Sequence, residues 1–398
     1  MTQPRQSLTP RVAAGRSYFA TCPRGLEALL ERELAQVGAA ELAATSGGVA
    51  FTGSLETCYR ANLSSRFATR ILKRLARKHY RNEQQVYDAA YDLPWHGFFA
   101  PSNSIRVDVN AVRSPLKSLE YITLRIKDAV CDRFRAESGR RPDVDTRTPD
   151  VRLHAFLDAD TVSIYLDTSG EPLYKRGYRA HFAEAPLKEN LAAGIIALTG
   201  WQPQEPLIDP MCGGGTLLVE AAMMGLAVAP GQGRRFGFER LADFDAALWQ
   251  RLREQALHTE QRSRPLALFG SDLHGREVEG ARANVEAAGL ADRILLKQAQ
   301  VTDLRPPGAL AGVVVMNPPY GIRMGEEDQL AALYPRVGDW LKQHFAGWRC
   351  YIFSGDASLP RGIRLHASRR TPLYNGAIEC RLYEYKLVAG SMRRKKEA

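Results

Sequence analysis

The chain lacks any long hydrophobic run. In 398 residues no stretch approaches the roughly 18 consecutive apolar residues of a membrane-spanning helix, which argues against intact spans. Cysteine is sparse: Cys22, Cys58, Cys131, Cys212, Cys350 and Cys380 are scattered, with no C-x-x-C pair and no Cys/His cluster at metal spacing. That pattern speaks against structural zinc, predicts no metal, and suits a reducing compartment, by default the cytoplasm. Residues 1–17 contain no apolar segment of the kind that targeting signals carry, so a flexible leader is expected there. No G-x-x-x-x-G-K-[ST] phosphate loop occurs either.

What is present is the composition of a globular protein, 25% charged and 45% hydrophobic, and a length that calls for two or three domains. Net charge is +10, unevenly spread. Residues 1–180 hold 27 basic and 20 acidic residues, residues 181–390 hold 23 of each, and residues 391–398 hold four basic and one acidic. Excess positive charge confined to the first half and the tail suits either simple solubility or an anionic partner for those parts.

Apolar periodicity divides the chain near residue 180. Before it, strands are expected at 18–22, 49–51, 104–112, 151–157 and 161–167, and helices at 24–37, 55–66 and 119–134. Residues 68–79 read as a strand or a short helix. This order predicts small α+β units with helices on an antiparallel sheet. After it, strands at 207–209, 266–270, 294–297, 313–316 and 350–353 alternate with helices at 216–224, 276–288 and 328–345, and strands at 363–366 and 378–387 follow. Five β/α units predict a parallel, doubly wound, Rossmann-like sheet, with residues 227–265 inserted between a helix and the next strand.

Two motifs carry chemistry. In the first, residues 206–216 run Pro-Leu-Ile-Asp-Pro-Met-Cys-Gly-Gly-Gly-Thr, a strand entering three glycines and then a helix. Such a turn is either a bare connection or a site where backbone N–H groups meet a ligand at the helix N-terminus. The dinucleotide pattern G-x-G-x-x-G fails at Leu218, which favours an adenosine-type ligand without a pyrophosphate. Asp272, ending the next strand, could accept from both ribose hydroxyls, and Asp303 from an adenine amino group.

The second motif is sharper. The apolar strand Val313–Met316 ends in Asn317-Pro318-Pro319-Tyr320. The prolines stiffen the turn, so the Asn317 amide oxygen and the Pro318 carbonyl can accept from one exocyclic NH2 group, and Tyr320 offers a face for a flipped base. Holding both hydrogens of an aromatic amine aims its lone pair at an electrophile, which is catalysis by positioning and electrostatics. A third feature is electrostatic. Residues 60–81 hold eight Lys/Arg and no acid: Arg60, Arg66, Arg70, Lys73, Arg74, Arg77, Lys78 and Arg81. With His79 and Tyr80 for stacking, and Arg113 and Lys117 as extensions, this stretch suits RNA phosphates or is a solvated basic face.

These motifs, with FATCPRGLEALLERELAQVGA (19–39), KDAVCDRF (127–134), PLYKRGYR (172–179), APLKENLAA (185–193), GSDLHGREVEGARANVEAAGL (270–290) and LYNGAIECRLYEYKL (373–387), identify the chain as resembling the class I S-adenosylmethionine-dependent methyltransferases that carry a THUMP domain. Within that group it is most similar to the bacterial enzymes that make N2-methylguanine in 23S ribosomal RNA. The resemblance implies a ferredoxin-like subdomain over 18–65, a THUMP RNA-binding domain over 66–168, a linker over 169–184, a seven-stranded methyltransferase domain over 185–390 and a basic tail over 391–398. It implies S-adenosylmethionine as cofactor, held by Asp209, Pro210, Cys212, Gly213, Gly215, Thr216, Asp272, Asp303 and Asn317. It further implies Asn317, Pro318, Pro319 and Tyr320 as the target-amine site, and ribosomal RNA or its assembly intermediates as partner, with no membrane. Two departures stand out. Relatives that add a second domain also make 7-methylguanine, an activity not expected here. Gly214 replaces the usual Ser, with no expected harm. Rival readings are the same chemistry on transfer RNA guanine, on adenine N6 or on protein glutamine, and a mainly non-catalytic assembly factor.

Overall fold

The computed structural model describes residues 15–180, 187–318 and 326–388, with side chains from 332 onward in the last stretch. The backbone forms two seven-stranded sheets. The first comprises β1 (Arg16–Thr21), β2 (Ala40–Thr45), β3 (Gly48–Gly53), β4 (Arg70–His79), β5 (Ile105–Ala111), β6 (Val151–Leu157) and β7 (Thr161–Asp167), ordered β2-β3-β1-β4-β7-β6-β5. Helices α1 (Glu27–Gln36), α2 (Leu55–Ser64), α3 (Glu83–Tyr91) and α4 (Leu119–Ser138) pack on it. Burial alternates along β6, where Val151, Leu153, Ala155 and Leu157 enter the core.

The ambiguous segment 68–79 resolves as β4, which pairs antiparallel with β1 on one side and β7 on the other. The lead-in strands and the following module therefore share one sheet. The expected antiparallel order fails once. β5 and β6 are parallel, Ile105 opposite Val151 through Ala111 opposite Leu157. Parallel neighbours need a crossover, and the 20-residue α4 supplies it.

The second sheet comprises β8 (Leu207–Asp209), β9 (Leu268–Asp272), β10 (Ile294–Gln298), β11 (Val313–Met316), β12 (Arg349–Ser354), β13 (Arg369–Asn375) and β14 (Ile378–Lys386), ordered β10-β9-β8-β11-β12-β14-β13. The first five in that order are parallel; β14 runs antiparallel to β12, and β13, antiparallel to β14, returns to the common direction. The sheet is thus not wholly parallel as expected. Residues 363–366 are no strand. Ile363 is fully buried and follows the short helix α10 (Leu359–Gly362). The final hairpin turns instead at Gly376-Ala377, between Asn375 and Ile378, with Gly376 at φ +65°. Helices α5 (Glu189–Thr199), α6 (Thr216–Gly225), α7 (Ala246–His258), α8 (Gly275–Ala287) and α9 (Glu326–His344) complete this half.

The two sheets share a continuous core. The insertion 227–265 explains part of that. Its Phe238 stacks on Tyr59 of α2 at 4.2 Å between centroids, and Trp249 of α7 meets the same ring edge-on at 5.9 Å. Asp243 accepts from Arg16 at 2.7 Å and from Lys73 at 2.8 Å. A second seam is ionic. Arg66, before β4, donates to the carbonyls of Val228 (2.7 Å) and Met223 (3.3 Å) at the C-terminal end of α6. The Arg66 carbonyl accepts from Arg176 at 2.6 Å, and Arg176 lies 3.5 Å from Glu220, which is buried on α6 and accepts from Tyr178 at 3.1 Å. Burial pulls the Arg66 guanidinium down from its usual range and pushes Glu220 up.

Breaking a buried ionic seam leaves its remaining members unsatisfied. Arg66→Ala is expected to destabilise the chain by about 3–5 kcal/mol, read as a lower midpoint of urea unfolding. A midpoint within experimental error of the parent would show that the seam contributes nothing to stability.

Candidate active site

Parallel strands deliver their carboxyl ends to one edge of the sheet, and the candidate residues collect there. Opposite one another in register are Asp209 with Gly270, Gln298 with Asp272, and Met316 with Ile352. β8 lies between β9 and β11, so the chain leaves β8 and β11 on neighbouring strands at the point where strand order reverses.

The glycine turn is built for close approach. Gly213 (φ +47°) and Gly215 (φ +77°) take left-handed conformations that other residues rarely adopt. Gly215 caps α6 with no side-chain capping bond, which leaves first-turn N–H groups of that helix for a ligand. The turn is tied to β9 by Cys212 N donating to Ser271 O at 2.9 Å and by Gly213 N donating to the Asp272 carboxylate at 3.1 Å. Asp272 also accepts from His274 N at 3.0 Å. On β9, a Cβ on Gly270 would lie 2.5 Å from Leu218 of α6, so the missing side chain lets α6 close on the sheet. Pro210 and Thr216 are buried, Cys212 is buried with its thiol pushed up by burial, and Asp303 is exposed in the turn after β10.

Asp209 is the electrostatic anomaly. It is 1% exposed and accepts a hydrogen bond from Met211 N at 3.2 Å. Burial, reinforced by the charge of Asp272, pushes its carboxyl up to about 8. A carboxyl without a cation of its own, beside a loop of free donors, fits a ligand that brings positive charge.

Asn317 follows β11, whose four residues are all buried between β8 and β12. Its Oδ1 is buried and has no hydrogen-bond partner among the described residues. An orphaned acceptor costs free energy unless something donates to it. This one stands on the strand beside the glycine turn. Pro318 is buried beside it; Pro319 and Tyr320 lie outside the described residues. Among the described residues no cluster of His, Cys, Asp and Glu could hold a metal ion.

Two supporting residues carried no role in the sequence reading. Asn284 of α8 donates to Gly214 O at 2.9 Å and accepts from Ala180 N at 2.8 Å. A Cβ on Gly214 would stand 3.2 Å from Asn284 Nδ2, so the serine usual there requires this amide to give slightly. Arg179, within the segment PLYKRGYR, donates to Glu189 and Leu187 O, each at 3.0 Å, and to Thr216 Oγ1 at 3.4 Å. The segment was the available signal for Arg179, and nothing in the local pattern points to Asn284.

The basic stretch 60–81 divides. Arg60 is bonded to Glu56 and Gln255, and Arg66 belongs to the seam. Arg70 pairs with the buried Asp167 and bonds Gly170 O, and Lys73 is 14% exposed and committed to Asp243. Arg70 and Lys73 are therefore corrected from contact candidates to structural residues. Tyr80 is corrected as a stacking residue. It is buried, and its hydroxyl is bonded to Ser114 Oγ and Asp158 O, each at 2.7 Å. Arg74, Arg77, Arg81 and Lys117 are exposed and have no ion pair among the described residues; Lys78 and Arg113 are exposed and paired with Asp92 (2.9 Å) and Asp158 (3.2 Å).

Family comparison covers the whole of this architecture. An RMKL-like methyltransferase domain model matches residues 176–384, a THUMP domain model residues 80–167, and an RlmL ferredoxin-like domain model residues 17–72. Ribosomal RNA large subunit methyltransferase K/L of Aeromonas hydrophila is 41% identical over 401 residues, covering 96% of this chain and 56% of that protein. The chain spans about half the length of the K/L relatives it matches. The Synechocystis protein slr0064, named provisionally as an RNA methyltransferase, is 37% identical, covering 94% of this chain and 98% of its own. The crystal structure of SMU.472, named provisionally as a methyltransferase and complexed with SAH, superposes with a TM-score of 0.86 at 31% identity, covering 96% of this chain and 100% of that one.

The Asp209 anomaly has a measurable sign. A carboxyl raised from 3.8 to about 8 in the folded state penalises folding as pH rises through that window. Asp209→Asn keeps an acceptor for Met211 N and removes the penalty. Its thermal midpoint should equal the parent's near pH 3.5, rise above it progressively between pH 4 and 8, and level off beyond, by on the order of 1–3 kcal/mol. A pH-independent difference would contradict the burial argument.

Proposed function

The chain belongs to the family of RMKL-like methyltransferase domains carried with THUMP and ferredoxin-like domains, that of the large-subunit ribosomal RNA methyltransferases K/L, and from this we propose that it methylates the exocyclic N2 amine of a guanine in 23S ribosomal RNA, giving N2-methylguanosine. The cofactor in this reading is S-adenosylmethionine, which supplies an electrophilic methyl group on a sulfonium. The residues present suit it. The free donors of the glycine turn meet its polar end, Asp272 meets its ribose, Asp303 its adenine, and the uncompensated Asp209 favours a cationic ligand nearby.

The observation that carries the proposal is the partnerless Asn317 Oδ1. A guanine N2 amine is a weak nucleophile because its lone pair is delocalised into the ring. When Oδ1 accepts one of its hydrogens and the Pro318 carbonyl the other, the nitrogen is held with its lone pair free toward the methyl group. With S-adenosylmethionine bound, its methyl group would pass from sulfur to this nitrogen, the C–S electron pair remaining on sulfur, and the nitrogen would release one proton to solvent. No strong base is required; positioning and a prepaid acceptor lower the barrier. The partner in this reading is RNA, gripped through the exposed cations Arg74, Arg77, Lys78 and Arg81 of the first sheet, with Arg113 and Lys117 beside them.

Asn317→Ala should reduce methyl transfer to 23S RNA by at least about a hundredfold while SAH affinity, measured calorimetrically, changes less than about threefold. Loss of SAH binding instead would make holding the cofactor, and not the target amine, the main role of Asn317. Incorporation of labelled methyl groups into transfer RNA alone, or into adenine, would replace the substrate assignment.

The division of the basic stretch is tested separately. Arg74→Gln/Arg77→Gln/Arg81→Gln should lower the slope of log affinity against log salt by about 2–3. Lys73→Gln should lower the melting temperature and leave that slope alone. The opposite pattern would return Lys73 to the contact surface.

A further inference from the structure

The end of the first sheet where those cations lie carries a second feature that neither the family nor the reaction accounts for. Among the described residues, four of the twelve exposed large apolar side chains fall within thirteen positions: Val112 (51%), Leu119 (36%), Tyr121 (50%) and Leu124 (48%). Clustered exposed apolar groups rimmed by polar ones mark binding surfaces. Their rim carries Arg113, paired with Asp158, and Lys117 in the loop before α4 and Arg125 within it, against one acid, Glu120.

The fold brings this patch to the cations of β4. α3 and α4 run side by side in the same direction, with Gln84 bonded to Arg125 at 2.7 Å near their starts and Arg133 over the Tyr91 ring near the end of α3. Both helices therefore begin at the end of the sheet where β4 finishes at His79, and their positive termini add to its potential. The Tyr80 hydroxyl, bonded to Ser114 Oγ, ties the 112–118 loop to the residue that follows β4. That loop is held in shape at some cost. Arg113 adopts φ +59°, a conformation non-glycine residues rarely take, beside Val112 N donating to Leu157 O at 2.9 Å. Tyr121 and Leu124 stand three apart on one face of α4, half exposed, one turn from Lys117.

We propose that Tyr121, with Leu124 and Val112, is a stacking platform for unpaired nucleotides of the RNA substrate, beside the phosphate-binding cations Arg77, Arg81 and Lys117. The charge of the rim selects a polyanion. The ring and its aliphatic neighbours select bases free of a duplex, because paired bases offer no face to stack on. The proposal rests on the reading of this chain as an RNA-modifying enzyme and adds where, and in what form, the RNA is held.

The test uses the full chain with two fluorescein-labelled probes, a 12-nucleotide single-stranded RNA and a blunt RNA duplex, both titrated over the same series of salt concentrations. Tyr121→Ala should weaken binding to the single strand by about 5–50-fold, leave the duplex within about twofold, and leave the salt slope unchanged, since no phosphate contact is lost. Tyr121→Phe should restore binding, and unchanged melting of both variants shows that folding is intact. Parental affinity of Tyr121→Ala for the single strand would overturn the platform, as would equal losses on both probes, which would mean a backbone contact. Loss on assembled ribosomal precursors with none on naked RNA would assign the patch to a protein and overturn it too. If the parent chain binds neither probe and methylates no RNA, the functional reading itself fails. If it binds and methylates while Tyr121→Ala is indifferent, only the platform does.

Discussion

Buried parallel strands must end somewhere, and the groups just past their last ladder bond lose their partners together. In this chain that constraint produces the site. β8 is three residues long and β11 four, both wholly buried, and each pairs through the same short register. One residue beyond the β8–β11 pairing stands Asp209, and three beyond it Asn317. Among the described residues Asn317 Oδ1 has no hydrogen-bond partner, and Asp209, which accepts from Met211 N, has no ion pair. In an apolar interior this would be a defect costing about 1–3 kcal/mol per group. At the crevice where strand order reverses it is a standing demand for a ligand, cationic at one position and a hydrogen donor at the other. Stability is lost at the place where binding is wanted, as strained and unsatisfied functional sites generally show.

The same economy of partners governs how the two halves are joined. On the proposed function, the grip on RNA and the chemistry on one base need to be held at constant separation. The insertion 227–265 and the Arg66–Glu220–Arg176 seam do this by different means. The insertion contributes rings, Phe238 and Trp249 against Tyr59, which bury area without directional demands. The seam contributes bonds that are satisfied in one arrangement only, since Arg66 meets carbonyls at the end of the helix whose start frames the cofactor turn. Rings supply adhesion and the ionic groups supply register. The distance from the basic end of the first sheet to Asn317 then follows from rigid packing.

Much of this was legible in the sequence where the cause is local. The strand Val313–Met316 was read with its observed bounds because four apolar residues bounded by Gly312 and Asn317 leave little choice. The glycine turn announces its own left-handed positions. Other elements depend on partners the local pattern does not contain. β2, Ala40–Thr45, is exposed at nearly every position and owes its existence to pairing with β3. The parallel pairing of β5 with β6 is decided by the crossover, and not by either strand. α7 lies inside an insertion whose purpose is visible only once Tyr59 is beside it. The Gly376-Ala377 turn was there to be read and was passed over in favour of residues 363–366, of which Ile363 packs inward from a helix end.

Charge is where local reading misleads most, because a side chain's formal charge is a property of sequence and its availability is not. The run from Arg60 to Arg81 looks like one basic face. Four of its members are spent inside the molecule, on partners as distant along the chain as Asp243 and Gln255. The remainder gain meaning from the loss. Were all eight free, a solvated face would explain them. With the seam already furnished, the exposed Arg74, Arg77 and Arg81 have no ion pair among the described residues and place three like charges along β4 and just past its end. Like charges at such spacing persist against their own repulsion when an anion is to be met there. The net +10 therefore does not measure the strength of an anion grip. The cations left over after the fold has taken its share do, and they lie beside the exposed ring of Tyr121.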